Sequence, residues 1–366
     1  MGLPVKIAFF NSARTWGGGE KWHFEMSCAL HQLGFETLIF TAQKSELANR
    51  LAPSGQRIYR IRNTSLSFLN PFKVWRLARL FQREKIHAIV INLSADLKLA
   101  GLAAKLAGVK QVIYRRGSAI AINNTWLNRL IFGHLVTGII ANSQETKNTV
   151  LKNNPRLFPA DKIRVIYNGL KLEQYDPSPA PRPFARKGDE LILGNIGRLV
   201  EQKGQHFLVD LAAELKSRRI PVRIMIGGDG PFKTRLVQLA RAKDVSDLIQ
   251  FAGFVDDVKG FLQAIDVFVL TSLWEGFGYV IAEANYFEKP VIAFDISSNP
   301  ELIEEGINGF LVKLGDVPAM ADRVEYLFHH RKAAEAMGKA GRARVDAKFD
   351  FKTSLKAFIQ YLEKGV

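Results

Sequence analysis

A single cysteine, Cys28, stands in the 366 residues, so no disulfide can close within the chain and no cysteine cluster can hold a metal. That usage fits a reducing compartment. Long apolar runs are also missing. The longest, such as HLVTGII and IDVFVL, fall well short of the roughly 18 residues that a membrane-spanning helix needs. The opening MGLPVKIAFF has neither the apolar stretch nor the small-residue cleavage site of a secretory leader, and it reads as a first buried strand. A cytoplasmic protein is expected. There is no internal repeat, no low-complexity tract, no zinc-finger spacing and no aromatic RNA-binding signature. Acidic residues are scarce in one half only. Residues 1–170 carry 24 Lys and Arg against 8 Asp and Glu, a surplus of +16, whereas residues 171–366 carry 27 of each and balance. The first half is therefore expected to meet something anionic: a membrane surface, a phosphorylated glycolipid or nucleic acid.

What is present is ordinary globular composition, 47% apolar and 23% charged. The length exceeds what one core usually serves, so two domains are expected. Apolar runs alternate with helix-length segments: KIAFF, TLIFT, HAIVIN, KQVIYR and GIIAN, then LILGNI, VRIMIG, IQFAG, VFVL and PVIAF. Runs this apolar indicate parallel strands covered on both faces, so each half reads as a doubly wound α/β unit. Pro177, Pro179, Pro181 and Pro183 mark a linker, placed at 171–190 between domains 1–170 and 191–349. Two such units leave a cleft, and ligands of open α/β sheets bind outside the carboxyl ends of the strands.

Three segments carry chemistry. Gly17, Gly18 and Gly19 follow the first strand and open a helix, which allows backbone amides to approach an anion or a hydroxyl-rich ligand. Their spacing is not that of a dinucleotide fingerprint. After LILGNI come Gly197-Arg198 and Lys203-Gly204, two cations on a strand-to-helix loop that suit a diphosphate. As isolated residues they would read as solvated surface charges. The third segment is TSLWEGFGYVIAEANYFEKPVIAF, in which seven residues separate Glu275 from Glu283 and a helix starts near Gly278. The loop amides at that helix start can face an anion or a sugar hydroxyl, and Glu283 can reach a ribose. The plainer reading of Glu283 is an acid favoured by the helix dipole. Gly228 in IMIGGDGP signals only a sharp turn.

The ordered set GGGEK, GRLVEQKG, GGDGP, GFVDDV, EGFGYVIAEA and NPELIEEGINGFLV resembles the retaining glycosyltransferase family 4, over nearly the whole chain. The resemblance implies the GT-B fold, two facing Rossmann-like domains with a cleft between them, and a last helix, about 350–366, that crosses back onto the first domain. It implies that Arg198 and Lys203 bind the donor diphosphate, Glu275 the donor-sugar hydroxyls and Glu283 the ribose. Gly276 and the Phe277 and Gly278 amides would hold sugar and phosphate, Gly18 and Gly19 would meet the donor, and Gly228 and Phe254 would line the nucleotide site. It implies a nucleotide-diphosphate sugar as substrate, no cofactor, and transfer with retention. No D-x-D pair stands at a strand end, so no metal is expected.

The sequence departs from the family in one place. Many relatives have a histidine where VIYRRGS puts Arg115-Arg116-Gly117. Arginine stays protonated, so Arg116 is no general base; it can grip a phosphate or carboxylate and stabilise developing charge, and the catalytic candidates are Arg116, Arg198, Lys203 and Glu275. With the basic half, Arg115 and Arg116 point to an anionic or phosphorylated glycan acceptor of the lipopolysaccharide-core kind. The alternatives are a nucleotide-sugar epimerase or a phosphorylase on the same fold, or a non-catalytic nucleic-acid binder. Within residues 71–85, Asn70 caps a helix started by Pro71. Val74, Leu77, Ala78 and Phe81 face the core, and Arg76, Arg79 and Arg83 lie opposite, beside Phe72 and Trp75. Peripheral contact with an anionic membrane is expected there.

Overall fold

Runs such as AIVI, GIIA, VFVL and VIAF have no polar position to offer solvent, and in the structure each is a strand buried along its whole length. The computed structural model describes residues 5–175, 178–180, 184, 186 and 188–364. Its strands are β1 (Lys6–Asn11), β2 (Glu36–Ala42), β3 (Arg57–Ile61), β4 (Ala88–Ile91), β5 (Gln111–Arg116), β6 (Gly138–Ala141) and β7 (Ile163–Val165). The second set is β8 (Leu191–Ile196), β9 (Val222–Gly227), β10 (Ile249–Gly253), β11 (Val267–Leu270), β12 (Val291–Phe294) and β13 (Gly309–Val312).

They form two wholly parallel sheets, in the orders β3-β2-β1-β4-β5-β6-β7 and β10-β9-β8-β11-β12-β13. In each, the chain runs outward to one edge and then returns to begin the other side. The reversal falls between β1 and β4 in the first sheet and between β8 and β11 in the second. At such a switch point two loops leave neighbouring strands in opposite directions, and the carboxyl end of the sheet opens a crevice. Each sheet has its own apolar core.

One compact unit comprises 1–168 with 354–366, the other 169–353. At the start of the second unit backbone meets backbone: a Cβ on Gly169 would lie 2.4 Å from Phe351 Cα. Leu170 N donates to Phe349 O and Phe351 N to Leu170 O. The helix Phe351–Lys364 belongs to the first unit from Ser354 onward. There Ser354 Oγ donates to Tyr167 O at 2.7 Å, Gln111 Nε2 donates to Leu362 O at 2.9 Å, and Phe358 meets the rings of Phe9 and Trp22.

Residues 171–175, read from sequence as the start of a linker, pack inside the second unit. They make a short turn, Leu172–Gln174, and the Tyr286 hydroxyl donates to the carbonyl of Tyr175 at 2.9 Å. Pro177, Pro181 and Pro183, on which that linker was placed, lie outside the described residues. Three strands, β3, β7 and β13, were not anticipated; all three are edge strands, and β3 carries two arginines, Arg57 and Arg60, in five residues. Cys28 is partly buried and accepts from Gln56 Nε2 at 3.5 Å. The helix Pro71–Arg83 starts as its capping signals require, with Asn70 Oδ1 accepting from Lys73 N at 3.1 Å, and it buries Val74, Leu77, Ala78 and Phe81.

Candidate functional site

In the second unit the switch point gathers the residues singled out from sequence. The loops beyond β8, β9 and β10 continue the sheet's bonding: Gly197 N donates to Gly227 O, Leu199 N to Asp229 O and Gly228 N to Gly253 O. Gly228 has φ 132°, and a Cβ there would sit 1.9 Å from Gly197 O, so no side chain fits. Gly204, φ 58°, is excluded from substitution in the same way by Thr271 O at 2.2 Å. The two glycines let loop backbones lie against one another.

That approach sews the loop after β8 to the loop after β11. Leu273 N donates to Gln202 O at 2.7 Å and Thr271 Oγ1 to Lys203 O at 3.3 Å. Between them Lys203 Nζ lies 2.5 Å from Glu275 Oε1, and Ser272 Oγ donates to the same oxygen at 2.6 Å. Glu275 is buried, and this paired donation fixes the orientation of its carboxylate. Its Oε2 has no protein donor among the described residues. Arg198 leaves its side chain exposed, with no carboxylate partner among the described residues, while its carbonyl accepts from Gln205 Nε2 at 3.2 Å.

Gly276, Phe277 and Gly278 lead into the helix Tyr279–Tyr286. Gly278 is left-handed, φ 84°, no side chain caps the helix, and its first turn closes with Ile281 N donating to Gly278 O at 2.9 Å. The Phe277 ring packs edge-on against Tyr279 and Phe349. Glu283 sits one turn into the helix, buried, and accepts from the Tyr175 hydroxyl at 2.7 Å. Phe254 is exposed at the end of β10, beside left-handed Gly253.

The first unit's switch point holds a separate polar cluster. The helix Gly18–Gln32 starts at the second glycine, and a Cβ on Gly19 would lie 2.6 Å from Asn92 Nδ2, so only glycine lets this turn approach the end of β4. Asn11 Nδ2 donates to Glu20 Oε1 at 3.0 Å. Asp96 accepts from Ser12 N at 2.8 Å, Ser12 Oγ at 2.5 Å and Asn63 Nδ2 at 2.7 Å. Burial pushes its carboxyl above the usual range, and those donors offset part of the effect.

Consecutive strand residues point to opposite faces, so Arg115 and Arg116 part company. Arg115 is 1% exposed; its guanidinium donates to Asn92 Oδ1 and Asn168 Oδ1, both at 3.0 Å, and lies 4.8 Å from the Trp22 ring centroid. Arg116 donates from Nη2 to Ile120 O and from Nη1 to the Tyr114 hydroxyl at 3.4 Å. It lines a cavity of about 160 Å³ with Tyr114, Asn123 and Asn128. His23 is buried against the Phe9 and Trp22 rings, and burial with nearby Arg115 holds its pKa well below the usual imidazole value.

Sequence reasoning missed Ser272, Tyr175, Asp96 and Asn299. Asn299 donates to Phe294 O at 2.9 Å, yet its buried Oδ1 has no partner among the described residues and lies near Gly278. Ser272 could have been found from its place just past an apolar strand. Nothing local announces Tyr175, which lies 108 residues from Glu283.

Comparison with known proteins places this architecture. Residues 16–174 match the family described as Glycosyltransferase Family 4, and residues 179–344 match Glycosyl transferases group 1. The lipopolysaccharide core biosynthesis glycosyltransferase LpsE of Rhizobium meliloti is 30% identical over 363 residues, covering 98% of this chain and 99% of its own. The putative glycosyltransferase EpsD of Bacillus subtilis is 33% identical over 191 residues; there the match spans half of each chain. Anabaena HepE, solved in complex with UDP, superposes with a TM-score of 0.85 at 22% identity, over 99% of this chain and 100% of its own. The two parallel-sheet units are thus those of the GT-B fold. The chain belongs to glycosyltransferase family 4, of the group 1 type.

Proposed function

We propose that the protein transfers a sugar, with retention, from a nucleoside diphosphate sugar to an anionic glycan acceptor without a metal ion. The observation that carries this reading is the cluster at the β8/β11 switch point, where Lys203, Ser272 and Glu275 meet beside exposed Arg198. Lys203 has donors beyond the one spent on Glu275, and with Arg198 it supplies charge to a diphosphate. Glu275 Oε2 is left to accept from a hydroxyl of the donor sugar. Glu283, positioned by Tyr175, accepts from the ribose, and the amides from Gly276 to Gly278 face phosphate and sugar.

In the transfer the anomeric C–O bond breaks and its electron pair goes to the diphosphate. The acceptor oxygen bonds on the same face, so its proton can pass to the departing oxygen. The protein's part is electrostatic: charge that develops on the leaving diphosphate is met by cations and amides already in place. UDP stands in the HepE complex and lipopolysaccharide core in the LpsE description. They support a UDP-sugar as the first donor to test and a core glycan as the first acceptor. The surplus of +16 in residues 1–170 supports an acceptor bearing phosphate or carboxylate.

Thermal stabilisation by a panel of nucleoside diphosphates and their sugars tests the donor, since a ligand of the native state raises apparent stability. Labelled-sugar product analysis follows. An epimerised sugar formed without acceptor, or release of a sugar phosphate, would replace the transferase reading with the corresponding enzyme. No stabilisation by any nucleotide would end it.

A further inference from the structure

In the first unit, edge strand β3 and the helix Pro71–Arg83 wall a groove of about 740 Å³. Arg60, Arg62, Lys73, Arg76, Arg79 and Arg83 line it, and no carboxylate does. The partners these cations find are mostly neutral. Arg60 donates to Gln43 O, Arg62 Nε to Gln43 Oε1 at 3.1 Å, and Lys73 Nζ to Ser67 Oγ at 2.8 Å. Arg83 alone approaches an acid, Glu84 at 3.5 Å, and that acid also pairs with Arg57. Arg76 and Arg79 have no carboxylate partner among the described residues. Like charges gathered without counter-charge repel one another, and an anion relieves the repulsion.

Beside the groove the surface is apolar. The turn Ser67–Leu69 and the start of the helix expose Leu66, Leu69, Phe72 at 81% and Trp75 at 58%. The Arg79 guanidinium lies 5.2 Å from the Trp75 ring centroid, so cation and ring share one face. Phe68 of the same turn joins Leu102, Leu127, Leu130 and Ile131, with Lys98 and His134, around a second cavity of about 200 Å³. A soluble polyanion would account for the arginines and leave these rings in water. The boundary of an anionic bilayer accounts for both, with phosphates over the cations and acyl chains around the rings.

We infer that the first unit docks on an anionic bilayer, with this groove against the headgroup phosphates and Leu66, Leu69, Phe72 and Trp75 in the interface. The inference goes beyond the sugar-transfer reading and uses none of its residues. The test is co-sedimentation of the full chain with phosphatidylcholine vesicles, with and without phosphatidylglycerol. Wild type should bind only the anionic vesicles and be released at 1 M salt, where the screening length is about 3 Å. Each basic residue near such a surface strengthens partitioning about fivefold, so Arg60→Gln, Arg62→Gln and Arg76→Gln together should weaken it on the order of a hundredfold. Phe72→Ser with Trp75→Ser should weaken it at unchanged charge. Nucleotide affinity, measured on the same samples, should be unaltered in both variants and reports that they are folded. Failure of wild type to bind anionic vesicles, equal binding to neutral ones, or undiminished binding by both folded variants would overturn the inference.

Discussion

Lys203 and Glu275, 72 residues apart in the chain, meet at 2.5 Å between the loops that leave β8 and β11. The pair couples two roles, because the residue proposed for the diphosphate and the residue proposed for the donor sugar hold each other in place. Removing the ammonium leaves a buried carboxylate with only Ser272 as a donor. Lys203→Ala should therefore weaken binding of nucleoside diphosphate by about 1.5–3 kcal/mol, on the order of ten- to a hundredfold. Arg198→Ala should do the same at less cost to stability, its side chain being exposed. Calorimetric titration of Lys203→Ala, Glu275→Gln and the double variant should give non-additive effects, as contacting residues do. Additive effects would mean that the ion pair is not maintained in solution.

The two glutamates should separate. Glu275→Gln should mainly slow transfer, because it is proposed to face the moving sugar, whereas Glu283→Gln should mainly weaken nucleoside binding. Tyr175→Phe should follow Glu283→Gln in direction and fall short of it in size, since it removes only the 2.7 Å hydrogen bond that orients the carboxylate. Titration with free nucleotide alongside single-turnover transfer makes the distinction. Identical losses of nucleotide affinity in the two glutamate variants would count against it.

Arg115 and Arg116 should differ in kind. Arg115→Met removes two hydrogen bonds from a buried guanidinium and strands Asn92 and Asn168. It should cost about 3 kcal/mol or more in urea unfolding. Arg116→Ala should unfold close to wild type and lose transfer. Arg116→Lys keeps the charge but not the planar fork, and it should also be severely impaired if an anionic oxygen pair is held there. Wild-type transfer by Arg116→Ala would remove the residue from the site.

Transfer should persist in excess EDTA, because Arg198 and Lys203 are proposed to supply the charge on the diphosphate that a cation would otherwise supply. Activity lost to EDTA and restored by magnesium or manganese would place a metal in the reaction.

His23 should make the fold sensitive to acid. Burial first, and Arg115 second, hold its folded-state pKa well below the unfolded value near 6.5. Below that value the unfolded chain takes up a proton that the folded chain refuses. The stability is therefore present above about pH 6.5 and is lost as pH falls toward the folded pKa. His23→Phe, which keeps a ring beside Phe9 and Trp22, should flatten that part of the profile in denaturant midpoints measured across the range. An unchanged slope would assign the acid sensitivity elsewhere.

The pattern of fully apolar runs and intervening helix-length segments was enough to give two parallel α/β units. A strand with no polar position has to be covered on both faces, and that holds whatever its neighbours are. The capped start of the helix Pro71–Arg83 was legible for the same local reason, and so were the glycine turns. Three edge strands, β3, β7 and β13, escaped notice, whereas the edge strand β10 was read as IQFAG. β3 has two arginines in five residues, and pairing with β2 decides its conformation more than its own composition does. The site was legible as motifs but not as contacts. Spacing suggested Lys203 and Glu275 as members of separate loops, and only the adjacency of β8 and β11 turned them into an ion pair. Tertiary structure also decided that Tyr175 serves Glu283 and that Arg115 is a buried support while its neighbour faces a cavity. These are meetings between distant segments or opposite faces of one strand, and they depend on sheet order and strand direction, which no local stretch of sequence encodes.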